Sequence, residues 1–114
     1  MDKFCVFCKI VEGAIPSNKL YEDDTIMAFH DINPQAPVHV VIIPKLHIAE
    51  SANDINDENK DVIAHIFASI PKIAKLAGVS SYRIINNCGA DAGQTVMHIH
   101  FHLLGGKDMG EKLV

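Results

Sequence analysis

The spacing of hydrophobic residues along the chain predicts a short helix followed by a series of short strands. Apolar residues at Phe4, Phe7, Ile10 and Val11 follow a helical period, which predicts a helix over residues 4–12 that ends at Gly13. Apolar and β-branched runs bounded by polar or proline-containing loops predict strands over residues 18–21, 25–29, 38–43, 82–86 and 96–104. The loop at residues 33–37 holds two prolines, which restrict the backbone and remove amide donors.

A second helical pattern lies between the third and fourth predicted strands. It extends from residue 56 to residue 77, and its apolar stripe consists of Ile63, Ile66, Phe67, Ile70, Ile73, Ala74 and Ala77. Asn56 or Asp57 is predicted to cap its start and Gly78 its end, and Pro71 is expected to kink or split it. Short strands without regular helices between them favour one α+β domain over residues 1–114, with an antiparallel sheet of about five strands.

The last predicted strand has a histidine at every second position. These are His98, His100 and His102, and large apolar residues fill the positions between them. Strand side chains point alternately to opposite faces, so the imidazoles share one face and the apolar residues Met97, Ile99, Phe101 and Leu103 share the other. The long helix is expected to cover the apolar face, which leaves the histidines in a cleft or in solvent. Imidazole can serve there as a nucleophile, a proton donor or a metal ligand.

Composition excludes several classes of protein. With 48% hydrophobic and 21% charged residues, the chain is typical of a globular domain, and its net charge of −4 argues against a nucleic-acid partner. The longest apolar run, residues 38–44, is too short to cross a bilayer, and the N-terminus has no signal-peptide pattern. An odd count of 3 cysteines argues against a disulfide framework, so we expect a cytoplasmic protein.

The loop before the histidine strand is rich in small residues. Residues 87–95 include two glycines and two alanines, which let backbone N–H groups approach an anion closely. Asn87 and Thr95 add a carboxamide and a hydroxyl at its two ends. A glycine-rich loop alone often is only a turn, but next to alternating histidines it indicates half of a phosphate-transfer site.

The histidine strand and its surroundings resemble the histidine-triad family. Residues 98–104 match the family signature of alternating histidine and apolar residues, and residues 93–97 lead into it as they do in family members. Residues 29–39 and 43–45 resemble a second family block, and the resemblance extends over residues 4–106. The ending at residues 103–106 is similar to the nucleotide-binding (Hint) branch rather than to the fragile-histidine branch, which is associated with diadenosine polyphosphates.

The resemblance implies catalytic roles for three histidine side chains and one threonine side chain. His100 would attack the α-phosphorus of a nucleotide conjugate, while the backbone carbonyl of His98 accepts its other ring N–H. His102 would donate to a phosphate oxygen, His39 would orient the nucleophile and assist proton transfer, and Thr95 would donate towards the leaving group. Attack on phosphorus requires a neutral imidazole with one free nitrogen.

The resemblance also implies a nucleotide pocket. Asp31 would bind the ribose hydroxyls, since a carboxylate can accept from both, although an aspartate beside a proline loop also fits a simple turn. An apolar slot would hold the base, and polar groups of the small-residue loop and the histidines would hold phosphate. The slot consists of Val6, Phe7, Ile10, Phe29 and Ile32, and the phosphate contacts are Asn87, the backbone of Gly93, Gln94 and Thr95, and the side chains of His100 and His102. A plain core role is the alternative for Val6 and Ile10.

Cys5 and Cys8 have the two-residue separation that lets both thiolates bind one tetrahedral ion. Two further ligands are needed, and His47 and His98 are the candidates. Many prokaryotic histidine-triad proteins are similar in carrying such a set, which implies a closed, structural zinc site outside the chemistry. The alternative is a pair of buried free thiols. Cys88 receives no role.

As a function, the resemblance implies hydrolysis of purine nucleoside 5′-phosphoramidates at the P–N bond through a covalent nucleotidyl-histidine, without a catalytic cofactor. Three alternatives stay open: a dinucleoside polyphosphate hydrolase, an enzyme whose alternating histidines hold a catalytic zinc ion, and a non-enzymatic module that responds to nucleotides. Family members form two-fold dimers, which implies a homodimer here through residues 62–77 and 82–86. His30 and His65 are expected on the surface or on a helix face.

Overall fold

The computed structural model describes residues 4–114, so residues 1–3 of the predicted domain lie outside the described part. Its helices are α1 (Val6–Val11) and α2 (Lys60–Ala77), and short 3₁₀ turns cover Ala52–Asp54 and Ala90–Ala92. Its strands are β1 (Lys19–Glu22), β2 (Ile26–His30), β3 (Val38–Pro44), β4 (Tyr82–Ile85) and β5 (Phe101–Gly105). The predicted α+β class is confirmed.

The strands form one antiparallel sheet in the order β1-β2-β3-β5-β4. The first three strands are consecutive in the chain, whereas β5 inserts between β3 and β4. Its register pairs Val41 with His102 and His39 with Leu104. β5, which carries His102, is therefore an interior strand of the sheet, next to the strand that carries His39.

Both faces of the sheet are covered, and β3 is buried on both sides because its apolar residues point alternately to each. On one face α2 packs Ile66, Ile70 and Ile73 against Val40 and Ile42 of β3, and the apolar residues Ile99, Phe101 and Leu103 join this cluster. On the other face Phe7 and Cys8 of α1 pack against a smaller cluster of Met27, Phe29, Val41 and Ile43. The smaller cluster leaves part of its face open, and this opening contains the candidate site.

The predicted strand over residues 96–104 is too long. β5 begins at Phe101, so His98 and His100 precede it, and β3 is the longest strand of the described chain. The amide of Ile99 donates to the carbonyl of Ala49 (3.0 Å), which draws this stretch away from the sheet. Met97, predicted with the apolar face, is 43% exposed.

The long helix also differs from its prediction. It begins at Lys60, with Asn59 as the N-cap residue, and Asn56 lies in the turn before it. Pro71 does not split the helix, which continues to Ala77 and ends at Gly78 in the left-handed conformation (φ 82°), as predicted. Within residues 4–114 no helix has the length and apolarity that a membrane span requires.

Candidate active site and metal site

A cleft of about 500 Å³ opens on the face that α1 only partly covers. It lies between α1, the end of β2 with its following loop, and the small-residue loop that precedes β5. All of the residues predicted for the nucleotide pocket except Gln94 line this cleft. They are Val6, Phe7, Ile10, Phe29, Asp31, Ile32, Asn87, Gly93, Thr95, His100 and His102. His39 lines the cleft as well, so the fold brings the two sequence blocks together.

Gln94 is predicted to contact phosphate through its backbone, and its side chain serves to hold the loop. Its side chain is buried, and its amide nitrogen donates to the carbonyls of Glu50 (2.6 Å) and Val96 (3.0 Å). Its amide oxygen accepts from the N–H of Gly89 (2.9 Å). These bonds tie the small-residue loop to residues around position 50, so the side chain shapes the loop and does not line the cleft.

His100 is held with one ring nitrogen committed to the backbone. Its Nδ1–H donates to the carbonyl of His98 (2.8 Å), since a carbonyl can only accept, and a neutral ring then has an unprotonated Nε2. The ring lies edge-on to Phe7, with centroids 5.0 Å apart. The side-chain amide of Asn86 donates to the carbonyl of His100 (2.8 Å). Sequence reasoning placed Asn86 in a strand and missed this contact, because nothing in the pattern distinguishes an inward-turned amide at a strand end.

His39 and His102 contact each other. Their Nε2 and Nδ1 atoms are 2.8 Å apart, and the backbone N–H of Gln35 donates to Nδ1 of His39 (3.0 Å). An oxygen of Asp31 lies 3.4 Å from Nε2 of His39. His39 therefore faces His102 from the neighbouring strand.

Burial favours the neutral form of the imidazoles of His39, His100 and His102. Desolvation lowers the pKa of His100 and of His39, although the nearby carboxylate of Asp31 acts in the opposite direction on both. Desolvation, with repulsion from His100 and His39, lowers the pKa of His102 to about 4. At neutral pH these rings are uncharged, which is the state that a nucleophilic imidazole requires.

The remaining cleft residues differ in exposure. Asp31 accepts from the N–H of Asn33 (2.8 Å) through one oxygen, so it also forms the turn that was its alternative reading. Val6 and Ile32 are 37% and 91% exposed, which is inconsistent with a core role for Val6 and leaves apolar surface at the cleft. Thr95 is exposed at the edge of the cleft.

Cys5, Cys8, His47 and His98 form a second cluster behind the cleft. One ligand atom from each lies within 4.8 Å of all the others. Sγ of Cys8 is 3.6 Å from Nδ1 of both His47 and His98, and Sγ of Cys5 is 3.2 Å from Nδ1 of His98. Tetrahedral zinc bonds of about 2.3 Å to sulfur and 2.05 Å to nitrogen put these atoms about 3.6 Å apart. The residues therefore fit a zinc ion.

The outer contacts of this cluster also fit a metal. Nε2–H of His98 donates to the carbonyl of Pro44 (2.8 Å), which leaves Nδ1 unprotonated and facing the thiols. Burial lowers the pKa of His98 to about 4, so the ring is neutral, as a ligand must be. Cys5 is also the N-cap residue of α1, where Sγ accepts from the N–H of Cys8 (3.3 Å).

The alternating histidines do not share one ion. Among the described residues, the groupings that could hold a metal place His98 with the cysteines and His102 with Asp31 and His39, and neither contains His100. The interpretation of residues 98–102 as a catalytic zinc triad is therefore wrong. Of the other histidines, His30 lines the cleft, and Nε2 of His65 lies 2.7 Å from the carboxylate of Asp23.

Comparison with known proteins gives consistent matches over nearly the whole chain. A family model described as "Scavenger mRNA decapping enzyme C-term binding" matches residues 4–113. The purine nucleoside phosphoramidase of Escherichia coli K12 is 42% identical over 110 residues, which cover 95% of this chain and 92% of that protein. An uncharacterized HIT-like protein of Buchnera aphidicola (Baizongia pistaciae) is 44% identical over 108 residues, 93% of this chain and 96% of the relative. A solved HIT family hydrolase from Clostridium thermocellum superimposes with a TM-score of 0.96 at 48% identity, covering 100% of both chains.

Proposed function

Because the chain belongs to the histidine-triad (HIT) family of hydrolases, we propose that it hydrolyses purine nucleoside 5′-phosphoramidates through a covalent intermediate on His100. The observation that carries the proposal is the bond from Nδ1–H of His100 to the carbonyl of His98, at 2.8 Å. This bond assigns the ring proton to Nδ1 and leaves the lone pair of Nε2 for phosphorus, in a cleft that is apolar at one end.

The reaction has two balanced steps. In the first, Nε2 of His100 forms a bond to phosphorus, the P–N bond to the amine breaks, and the departing nitrogen takes a proton from solvent water. In the second, water forms a bond to phosphorus and releases a proton to solvent, the bond from phosphorus to Nε2 of His100 breaks, and the nucleoside monophosphate leaves. His102 donates to a phosphoryl oxygen in both steps, and the hydroxyl of Thr95 donates on the side of the leaving group.

Binding of the nucleotide uses the two ends of the cleft. The base lies against Val6, Phe7, Ile10, Phe29 and Ile32, where apolar surface accepts either purine. The carboxylate of Asp31 accepts from the ribose hydroxyls, and Asn87 with the backbone of residues 93–95 contacts the phosphate. The share of Gln94 in this contact is limited to its backbone, since its side chain is buried.

The test is His100→Ala, with His65→Ala as the control outside the cleft. Loss of the nucleophile should lower kcat for adenosine 5′-monophosphoramidate by about a thousandfold or more, and the nucleotidyl adduct seen by mass spectrometry after rapid quenching should disappear. Near wild-type turnover by His100→Ala would refute the mechanism. Faster turnover of diadenosine polyphosphates than of the phosphoramidate would favour the other branch, and tight AMP binding with negligible turnover of either would favour a non-enzymatic module.

The proposal includes a structural zinc ion. Cys5, Cys8, His47 and His98 would hold it, and the ion would cross-link the start of α1 to the segment before β5. All four ligand positions belong to protein, so the zinc would stabilise the fold and leave the phosphorus chemistry to the imidazoles.

The proposal also covers assembly and location. The outer strand β4 and the adjacent flank of α2 would form the interface of a homodimer, where Phe67 is 50% exposed. A cytoplasmic location is supported by Cys5, Cys8 and Cys88, none of which is in a disulfide. Cell fractionation with a tagged copy of the chain tests the location, and recovery outside the cytoplasm would contradict it.

A further inference from the structure

We propose that the backbone amide of Gln35 is a positioning group, which sets the tautomer of His39 and, through it, the hydrogen-bonding direction of His102. This inference rests on the proposed function for the role of His102 at the phosphate. The sequence patterns give Gln35 no role, because they cannot show which backbone amides lie near a histidine. The side-chain nitrogen of Gln35 donates to the carbonyl of Asn33 (3.2 Å), so the role proposed here belongs to the backbone N–H.

The direction of each hydrogen bond in this chain follows from the backbone N–H of Gln35, which cannot act as an acceptor. A backbone N–H can only donate, so Nδ1 of His39 accepts from Gln35 (3.0 Å) and must be unprotonated. The single ring proton of neutral His39 is then on Nε2. That atom is 2.8 Å from Nδ1 of His102, so it donates to His102. Nδ1 of His102 is therefore the acceptor, and the proton of His102 is on Nε2.

The nearby carboxylate supports the same assignment. An oxygen of Asp31 is 3.4 Å from Nε2 of His39, and a carboxylate favours a proton on the nitrogen that it faces. With the opposite tautomers, Nε2 of His39 would present a lone pair to this carboxylate. His102 would then present its own Nε2 lone pair to the anionic phosphate, which repels it.

The same amide argues against a metal ion at Asp31, His39 and His102, although their ligand atoms lie within 4.8 Å of one another. A metal on Nε2 of His39 would move the ring proton to Nδ1, directly against the N–H of Gln35. Histidine ligands normally donate their second N–H to an acceptor. His98 meets this requirement through the carbonyl of Pro44 (2.8 Å), and His39 does not. The outer contacts therefore distinguish the two clusters. The cysteine–histidine cluster suits a metal, and the cluster of Asp31, His39 and His102 suits a chain of hydrogen-bond donors.

The first test is a direct measurement on the unaltered full chain. Protonated and unprotonated ring nitrogens have well-separated ¹⁵N chemical shifts, so a long-range ¹H–¹⁵N correlation spectrum at neutral pH identifies the tautomer of each histidine. We expect the proton on Nε2 of both His39 and His102. A proton on Nδ1 of either ring would overturn the inference. A shift of these ring signals on adding Zn²⁺ beyond one equivalent per chain would overturn the exclusion of metal.

The second test removes the donor. Gln35→Pro deletes the N–H, Gln35→Ala keeps it, and replacing residue 35 by its α-hydroxy acid exchanges the N–H for an ester oxygen without adding a ring. We expect the proline variant or the ester to lose the Nε2–H form of His39 and His102, and kcat to be at least roughly tenfold below that of Gln35→Ala. Unchanged tautomers in the ester or proline form would refute the role of the amide.

The outcomes for this inference and for the proposed function are distinguishable. The tautomers are measured without substrate, so an inactive protein with the expected ring protons would refute only the proposed hydrolysis of phosphoramidates. An active protein with the ring protons on Nδ1 of His39 and His102 would refute only the positioning role of Gln35.

Discussion

The pH at which activity falls on the acid side should report the protonation of His100 and His102. Because burial lowers the pKa of His100 and lowers that of His102 to about 4, these rings stay unprotonated as the pH falls through the ordinary histidine range near 6.5. We expect kcat/KM for the phosphoramidate, corrected for spontaneous hydrolysis, to be constant from about pH 8 to pH 6.5. It should then fall with a midpoint below about 6.5, because protonation removes the nucleophile.

The variant Asp31→Asn tests the direction in which nearby charge shifts the pKa of these histidines. The carboxylate raises the pKa of His100, His39 and His102, so its neutral replacement should move the acid midpoint to lower pH. The plateau value of kcat/KM should also decrease, since the ribose contact is weakened. A midpoint that moves upward, or a wild-type midpoint above about 6.5, would contradict the electrostatic account.

Individual residues show what a sequence pattern can predict. Alternation found His100 and His102 because period-two spacing is a property of side-chain direction alone. It could not find the amide of Gln35, since a backbone donor carries no residue identity. Gln94 is predicted to contact phosphate through its backbone, and no pattern reveals that its carboxamide turns inward to Val96 and Glu50, because Glu50 is distant in sequence.

At the scale of elements, α1 is too short to be stable alone, because a helix of 6 residues forms few internal hydrogen bonds. It is held by the packing of Phe7 and Cys8 and by the cysteine–histidine cluster at its first turn. If zinc occupies this cluster, Cys8→Ser should lower the free energy of unfolding by on the order of 3 kcal/mol, or Tm by roughly 10 °C. Cys88→Ser is the matched control, because Cys88 lies outside the cluster.

Chelation separates a structural metal from a catalytic one. Purified protein should contain one zinc per chain, and its removal should lower Tm while turnover per folded molecule is retained. Loss of turnover in step with metal release, in protein that circular dichroism shows to be folded, would contradict a structural role. Equal Tm values for Cys8→Ser and Cys88→Ser would argue for buried free thiols instead.

Element boundaries were predicted well where periodicity and caps agree, and poorly where tertiary contacts take over. β5 begins late because Ile99 bonds to Ala49 and the ring of His98 bonds to Pro44, contacts that no local pattern reveals. α2 continues through Pro71, where the carbonyl of Phe67 loses its helical donor, because Ile66, Ile70 and Ile73 on both sides of the proline pack against the same core.

For the whole molecule, the two flanks of α2 have different neighbours. On one flank His65 bonds to Asp23 between β1 and β2, and Lys72 lies over the ring of Tyr21 in β1. Leu76, one turn after Lys72, belongs to this flank and is 54% exposed. Phe67 lies on the other flank, where its ring contacts Phe101 of β5. That flank lies towards β5, and beyond β5 is β4, the outer strand whose second edge has no neighbour within the described chain.

This asymmetry makes the homodimer testable with a matched pair of variants. A two-fold interface that joins β4 strands and the adjacent helix flanks would bury Phe67 and leave Leu76 exposed. Sedimentation at micromolar concentration should give twice the chain mass of 12.5 kDa for the wild type and for Leu76→Glu. Phe67→Glu should give a monomer, because the new carboxylate would be buried without a partner. A wild-type monomer, or dissociation caused by Leu76→Glu but not by Phe67→Glu, would show that this flank is not the interface.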